Sequence, residues 1–260
     1  MKVGNRTIKQ LYWVLSRKEN YLALINFFKV YKNPLGQILN EFFSNQKYPY
    51  LVSLKSDKTN LLFNVGNAED RATIHAIFCR EDYKIGNNRN IVIDIGSNRG
   101  FTIGYFLSKN EHNFVYGFEP DKNNFRILQE NLSQFAGKYS VKDCAVSDET
   151  GVLNFFSENT GKYGSLESSA LGTGNISSYS VNVLGINDIL KNVFSKHDRI
   201  NLIKIDTEGH ERKIINSIEP QYWSKIDCIY SENTNCSDII PSNFKRTWRY
   251  DIEKIEPIKN

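Results

Sequence analysis

Hydrophobic and polar positions between residues 90 and 232 alternate in blocks that predict strands and helices in turn. The run 91–95 is short, apolar and rich in β-branched residues, which favours a strand covered on both faces. Further apolar strands are predicted over 113–118 and 140–146, with an amphipathic helix over 121–132 between them. This βαβαβ order implies parallel strands joined by right-handed crossovers.

The pattern towards the carboxyl end continues this arrangement. It predicts strands over 151–156, 180–184, 200–205 and 226–230, and helices over 186–194 and 208–218. After residue 230 only short pieces around 245–255 are predicted, so we expect the sheet to end early at that edge. The predicted fold class is therefore α/β, with a mostly parallel, doubly wound, Rossmann-like sheet over residues 86–260.

Residues 1–85 are predicted to form a helical N-terminal extension that packs on this core. Their apolar positions recur mostly at helical spacing. The pattern predicts helix over 7–43 with a break at Asn33–Pro34, a strand pair over 48–65 with its turn at Asp57–Lys58, and helix over 73–78.

The N-terminal extension is also basic and aromatic. Residues 1–60 hold ten Lys/Arg and three Asp/Glu, whereas the whole chain holds 33 and 29. Such a surface is either a solvated face, which we favour, or one that meets phosphates or an anionic membrane. The aromatic pairs at 27–28 and 42–43 either bury against the neighbouring domain, the interpretation we favour, or dock on a membrane surface.

The cysteines and the hydropathy of the sequence indicate the cellular compartment. The four cysteines are scattered and form no C-x-x-C pair, which indicates a reducing environment rather than a disulfide framework. The N-terminus lacks the order of a signal peptide, and no apolar run approaches the roughly 18 residues that a membrane span needs. We therefore expect a soluble, cytoplasmic protein without a transmembrane segment.

One long polar stretch interrupts the regular pattern. Residues 157–180 are rich in Gly, Ser, Asn and Thr. A stretch of this length inside a compact domain is uncommon unless it is a lid, a binding loop or disordered. We predict a lid or substrate loop, with disorder as the alternative.

A glycine-spaced turn follows the first strand of the core and contains Asp94, Gly96, Ser97, Asn98 and Gly100. Glycine permits a tight turn and close approach of the backbone to a ligand, and a strand, a turn and a helix N-terminus together make a cofactor crevice. A dinucleotide fingerprint requires G-x-G-x-x-G. The order acid-x-Gly-x-Asn-x-Gly points instead to S-adenosylmethionine, and these five residues are predicted to bind it.

Two further strand ends carry candidate cofactor contacts. Glu119 and Pro120 follow the second strand, where a carboxylate can accept both hydroxyls of a cofactor ribose; helix capping is the alternative. Asp143, Cys144 and Ala145 follow at the third strand. There a carboxylate can accept the adenine amino group while Cys144 or Ala145 packs on the ring, unless Asp143 is an ordinary strand-end acid.

The fourth motif is LIKIDTEGHE at 202–211, which places ionisable groups at the end of the fourth core strand. Taken together, the motifs resemble the FkbM family of S-adenosylmethionine-dependent methyltransferases over roughly residues 70–235. The family run Lys-x-Asp-x-Glu-Gly-x-Glu is matched by Lys204, Asp206, Glu208, Gly209 and Glu211. Further signatures are matched by Glu119–Pro120, by 145–147 with Gly151, and by 230–232.

The resemblance implies a class I methyltransferase Rossmann-like fold. It also implies methylation, usually at oxygen, of sugars or other small hydroxylated metabolites. The sequence departs from the family at 184–188, where the usual Leu-Asp pair is missing, and in a short carboxyl end. Both departures concern the substrate side rather than the cofactor side.

Methyl transfer from a sulfonium requires alignment of three atoms and exclusion of water, and a hydroxyl acceptor also loses a proton. The predicted catalytic residues are Asp206, His210 and Glu208, with the general base among them unassigned. Alternatively, His210 is an exposed residue of a first helical turn and Glu211 a surface charge. Histidine spacing predicts no metal site, although Mg²⁺ at Asp206 stays open.

Three functions follow as hypotheses. The first is O-methylation of a sugar or glycoconjugate hydroxyl, and the second is a non-catalytic module that only binds the cofactor. The third is nucleic-acid methylation, suggested by the basic residues 1–60, although the chain has no recognisable aromatic-basic RNA module. The sequence leaves the methyl acceptor and the oligomeric state open.

Overall fold

The computed structural model describes residues 2–3, 6–7, 18–42, 47–56, 60–86, 88–158, 164–166, 176–232 and 238–258. The chain divides into two compact units, residues 1–84 and 85–260. None of the helices in the described part of the chain is both long and apolar enough to cross a membrane.

The first unit combines helices with a β-hairpin. Its elements are β1 (Lys2–Val3), β2 (Arg6–Thr7), α1 (Lys18–Val30), α2 (Pro34–Phe42), β3 (Tyr50–Lys55), β4 (Asn60–Val65) and α3 (Ala68–Ile74), which runs into a π-helical turn (His75–Cys79). The predicted break at Asn33–Pro34 is present, because proline fits the first turn of a helix but not its interior. The predicted strand pair is β3–β4, which is antiparallel; the predicted turn at Asp57–Lys58 lies outside the described residues.

The aromatic pair Phe27–Phe28 lies on α1, and Phe42 is the last residue of α2. Phe27 is half-buried, with its ring centroid 4.5 Å from that of Tyr31, whereas Phe28 is 45% exposed. The side chains of Phe42 and Phe43 lie outside the described residues. Which of the two predicted roles the aromatic pairs have stays a prediction.

The second unit is built on alternating strands and helices. Its first half contains β5 (Ile91–Ile95), α4 (Phe101–Lys109), β6 (Phe114–Phe118), α5 (Lys122–Leu132), β7 (Tyr139–Lys142), β8 (Ala145–Ser147) and β9 (Gly151–Glu158). Its second half contains β10 (Gly164–Ser165), β11 (Ile176–Gly185), α6 (Ile186–Phe194), β12 (Leu202–Ile205), α7 (Glu211–Ser217), α8 (Pro220–Trp223), β13 (Ile229–Glu232), β14 (Phe244–Arg249) and β15 (Ile252–Pro257).

Seven strands form the central sheet in the order β14-β15-β13-β12-β5-β6-β7. The five strands from β13 to β7 are parallel, and β15 and β14 are added antiparallel. Every residue of β5 is buried, as expected for an interior strand of a sheet covered on both faces. The predicted fold class, α/β with a mostly parallel sheet, is confirmed.

The hairpin β14–β15 corrects the prediction that the sheet ends early. Its strands are rich in charged residues, which hid the strand pattern. Arg246 forms an ion pair with the fully buried Glu253 across the hairpin. Cross-strand pairing of opposite charges allows such a sequence to form an edge strand.

A second, four-stranded sheet corrects two other predictions. Its order is β10-β9-β11-β8. The single strand predicted over 140–146 is split, since β7 joins the central sheet and β8 pairs in parallel with β11. The polar stretch predicted as a lid or disordered loop is partly a strand, because residues 176–183 of β11 pair with 151–158 of β9. Residues 159–163 and 167–175 lie outside the described part.

Asn113 anchors the entry to the central sheet. It is buried, its Oδ1 accepts the backbone N–H of Asn90 at 2.9 Å, and its Nδ2 donates to the carbonyl of Phe106 at 2.7 Å. One side chain thereby joins the starts of β5 and β6 to α4. A buried polar group that satisfies two backbone groups is expected to stabilise the fold.

We predict that Asn113→Ala lowers the free energy of unfolding by about 1–3 kcal/mol, because two buried backbone groups lose their partner. The control is His112→Ala, since the neighbouring side chain is 71% exposed and its removal should change stability by less than about 0.5 kcal/mol. Urea unfolding followed by circular dichroism measures both. Equal stability of the two variants would contradict the role of Asn113.

Candidate functional site

A cleft of about 630 Å³, partly open to solvent, lies where β5, β6 and β12 end. Parallel strands bring their carboxyl ends to one edge of a sheet, and ligands of such folds bind there. Eight of the predicted site residues line it: Gly96, Asn98, Glu119, Pro120, Cys144, Ala145, Asp206 and Glu208. The other five, Asp94, Ser97, Gly100, Asp143 and His210, lie outside the lining found among the described residues.

The glycine turn has the backbone conformation that its sequence requires. Gly96 and Gly100 have φ of 76° and 80°, and Asn98 has φ of 47°, all in the left-handed region. A Cβ on Gly96 would lie 1.8 Å from the carbonyl oxygen of Asp206, so only glycine fits where this turn meets the end of β12. Gly100 is the N-cap of α4. The buried Ser97 fixes the turn by donating from Oγ to the carbonyl of Asp94 at 2.8 Å.

Glu119 is a buried carboxylate on the wall of the cleft. Its Oε2 accepts the backbone N–H of Asn98 at 2.7 Å and its Oε1 accepts that of Asp121 at 2.9 Å. Burial raises the pKa of Glu119 to about 7, even though these two bonds favour the charged form. The side chain of Glu119 therefore has a structural role, because it holds the glycine turn after β5 against the end of β6.

A buried ion pair lies beneath the cleft. Lys204 Nζ is 3.3 Å from Asp94 Oδ1, and Thr102 Oγ1 donates to the other oxygen of Asp94 at 2.7 Å. Burial raises the pKa of the Asp94 carboxyl against the attraction of Lys204. Burial also disfavours the charge on Lys204, but the surrounding carboxylates outweigh it and raise the pKa of the ammonium group. Lys204 thus remains protonated, and it also donates to the carbonyl of Gly96 at 2.9 Å.

The segment after β12 is a loop rather than the start of a helix. The prediction of helix from residue 208 is wrong, because α7 begins at Glu211 and Glu208 has φ of 55°. Glu211 is not a surface charge: it is buried, and its carboxylate accepts the backbone N–H groups of Thr207 at 2.7 Å and Gly209 at 2.9 Å. The loop places Asp206, Thr207 and Glu208 on the cleft wall.

His210 is buried, which contradicts the alternative of an exposed first-turn residue. Its Nδ1 lies 3.2 Å from the Oγ of Ser147, at the end of β8, and its Nε2 is inaccessible to solvent. Of the three predicted base candidates, Asp206 and Glu208 line the cleft and His210 does not.

The third strand end is divided between the cleft and the surface. Cys144 and Ala145 line the cleft, whereas Asp143 is exposed and is not part of the described lining. Burial raises the pKa of the Cys144 thiol to about 11, so this side chain acts as a small apolar group rather than a nucleophile. The structure thus brings two of the three predicted residues to the site.

The second sheet supplies cleft residues that the sequence did not indicate. Phe155, Ser157, Gly164 and Leu166 come from β9, β10 and the residue after β10. Asp121, another missed lining residue, accepts from Ser157 Oγ at 2.9 Å and from the hydroxyl of Tyr179 at 3.0 Å. The alternating pattern of β9 predicts a strand. Its pairing with β11, which is distant in the sequence, decides which sheet the strand joins and which of its faces lines the cleft.

The described residues offer no metal centre at this site. Within the described ranges, no group of three or more His, Cys, Asp or Glu side chains is arranged to hold a metal ion. Asp206 instead pairs with Lys204, whose Nζ is 3.3 Å from its Oδ2.

Comparisons with known proteins place the chain in a family. The family model described as the Methyltransferase FkbM domain matches residues 94–250. Methyltransferase sdnD of Sordaria araneosa is 22% identical over 209 residues, which are 69% of this chain and 80% of that protein.

Solved structures with detectable likeness include methyltransferase FkbM from Methylobacillus flagellatus KT, with 17% identity, coverage of 69% of this chain and 46% of that one, and a TM-score of 0.46. The chain thus spans less than half the length of that protein. M. capricolum TrmK, solved with S-adenosyl-homocysteine, has 12% identity, coverage of 66% and 64%, and a TM-score of 0.37. The predicted family is confirmed by the family model, which begins at Asp94 and covers more than half of the whole chain. The chain belongs to the FkbM family of methyltransferases.

Proposed function

We propose that this chain uses S-adenosylmethionine to methylate an oxygen of a sugar, a glycoconjugate or another small hydroxylated molecule. Glu119 is the observation that carries the proposal. A buried carboxylate at the end of the second core strand, held by two backbone N–H groups, has lone pairs left to accept the hydroxyls of a cofactor ribose. The backbone of Gly96 also approaches the carbonyl oxygen of Asp206 so closely that no Cβ would fit between them, which brings the glycine turn and the end of β12 together on the cleft wall.

The lining of the cleft supports this ligand and a neutral acceptor. Carboxylates of Glu119, Asp121, Asp206 and Glu208 line it, and the described lining residues include no Lys, Arg or His. This negative surface favours a cationic sulfonium and hydroxyl donors. It disfavours a phosphate-rich acceptor, which argues against the alternative of nucleic-acid methylation.

The reaction assigns simple roles to the chain. The bound cofactor supplies an activated methyl group, which the acceptor oxygen takes from the sulfonium. Gly96 and Asn98 would hold the cofactor by their backbone, Glu119 by its ribose, and Cys144 and Ala145 by the adenine face. Asp206 or Glu208 would accept the proton that the acceptor hydroxyl loses, because both line the cleft.

Calorimetry with S-adenosylhomocysteine, followed by mass spectrometry of a glycan and metabolite panel incubated with methyl-labelled cofactor, tests the proposal. We expect binding, and one labelled methyl group per product. Asp206→Asn and Glu208→Gln should retain binding, and the one that removes the base should lower the transfer rate about 100-fold or more. Absence of binding at millimolar ligand would refute the cofactor assignment, and binding without transfer to any acceptor would favour the non-catalytic module.

We further predict that cofactor affinity depends on pH through Glu119. Ribose hydroxyls donate to the ionised carboxylate, so the affinity for S-adenosylhomocysteine should rise as pH increases through the pKa of about 7. The folding stability of the protein without ligand should depend on pH in the opposite direction. The folded-state pKa lies above the usual 4.5, so the contribution of this group to folding stability falls as pH rises from about 4.5 to about 7.

The matched variants are Glu119→Gln and Glu149→Gln, since Glu149 is exposed and outside the described lining. Glu119→Gln should weaken binding about 10-fold or more at pH 8 and flatten the pH dependence, because the amide cannot ionise. Glu149→Gln should behave as wild type. An unchanged pH profile in Glu119→Gln, measured by calorimetry from pH 6 to pH 8.5, would exclude Glu119 as the ribose acceptor.

A further inference from the structure

A chain of polar side chains connects the second sheet to the loop at the cleft. Ser147, the last residue of β8, is buried and donates from Oγ to Asp148 Oδ1 at 2.8 Å. The same Oγ lies 3.2 Å from Nδ1 of His210, the residue before α7. Lys213 Nζ lies 3.1 Å from Asp148 Oδ1 and closes the chain at its outer end.

Proton counting fixes the direction of these bonds. Burial disfavours the charged form of Asp148, but the bonds from Ser147 and Lys213 outweigh it and lower the pKa of the carboxyl. An ionised carboxylate only accepts, so the single hydroxyl proton of Ser147 points to Asp148. The contact between Ser147 Oγ and His210 must then be a bond donated by the Nδ1–H of the imidazole.

His210 follows directly after a loop in an unfavourable conformation. Glu208 has φ of 55°, which a non-glycine residue adopts only when its surroundings enforce it. Glu211 holds the loop through the N–H groups of Thr207 and Gly209, and Ser165 Oγ donates to the carbonyl of Glu208 at 2.8 Å. The bond from His210 to β8 is a third restraint, placed at the point where the loop enters α7.

We propose that His210, through Ser147 and Asp148, is a positioning residue that holds the Asp206–Glu208 loop in place for methyl transfer, with its ring fixed as the Nδ1–H tautomer. The inference rests on the proposed function and reassigns His210 from base to support. The inaccessible Nε2 agrees with this role, because a base must reach the acceptor proton.

Nuclear magnetic resonance tests the tautomer without cofactor or substrate. Long-range ¹H–¹⁵N spectra of the ¹⁵N-labelled protein at neutral pH resolve the imidazole nitrogens of the four histidines, and the signals absent from His210→Asn identify residue 210. We expect a protonated Nδ1 and an unprotonated Nε2. Ser147→Ala should shift this signature, whereas Ser133→Ala, at an exposed serine, should leave it unchanged. An Nε2–H tautomer in wild type would overturn the proposal.

Kinetics separate positioning from base catalysis. The amide introduced by His210→Asn would place an N–H near the position of Nδ1 but could not take a proton, whereas the side chain introduced by His210→Leu supplies neither function. We therefore expect His210→Leu to lower kcat about 10-fold to 100-fold with little change in S-adenosylhomocysteine affinity, and His210→Asn to recover most of that loss. If His210→Asn is as inactive as His210→Leu while both melt like wild type, His210 is the base and the proposal fails. Lack of binding or transfer by wild type would instead refute the proposed function and leave the tautomer result standing.

Discussion

The buried ion pair of Lys204 and Asp94 is the interaction on which the cleft depends. The two residues face each other in register on the adjacent strands β12 and β5, with side chains 4% and 0% exposed. Removing two charges from water is unfavourable unless the pair is well placed and further bonded. Thr102 and the carbonyl of Gly96 supply those bonds. The pair therefore ties the glycine turn after β5 to the end of β12, and the two turns together form one edge of the cleft.

The second sheet forms the part of the cleft that the central sheet does not provide. Asp121 caps α5 through one carboxylate oxygen, which accepts two backbone N–H groups, and binds Ser157 and Tyr179 through the other. One side chain thus fixes a helix of the core and the sheet that covers the cleft. Ser165 fixes the opposite side by its bond to the carbonyl of Glu208. The cleft is consequently lined by residues of both sheets. Its apolar wall at Phe155 and Leu166 comes from the second sheet and the residue after β10, not from the parallel central sheet.

Local sequence signals predicted the glycine turn and the position of Glu119, but they did not predict the second sheet. The turn after Asp94 could be predicted because Gly96 and Asn98 adopt left-handed backbone, which depends on the residue type at each position and not on distant contacts. Glu119 was likewise found from its place at a strand end. In contrast, the split between β7 and β8 and the role of Phe155 depend on pairing between residues far apart in the chain. The burial of His210 could not be predicted for the same reason, since its partner Ser147 lies on another sheet.

The conformation of Glu208 bears on the choice between an enzyme and a binding module. A non-glycine residue with positive φ costs of order 1 kcal/mol or more, and it persists only where surrounding bonds enforce it. In the proposed function the cofactor is held by Gly96 and Glu119, and the conformation of Glu208 does not contribute to that binding. The loop that Glu211 and Ser165 hold carries two carboxylates to the cleft wall, and in the proposed function a fixed loop would orient the acceptor hydroxyl. The strain therefore favours catalysis over cofactor binding alone.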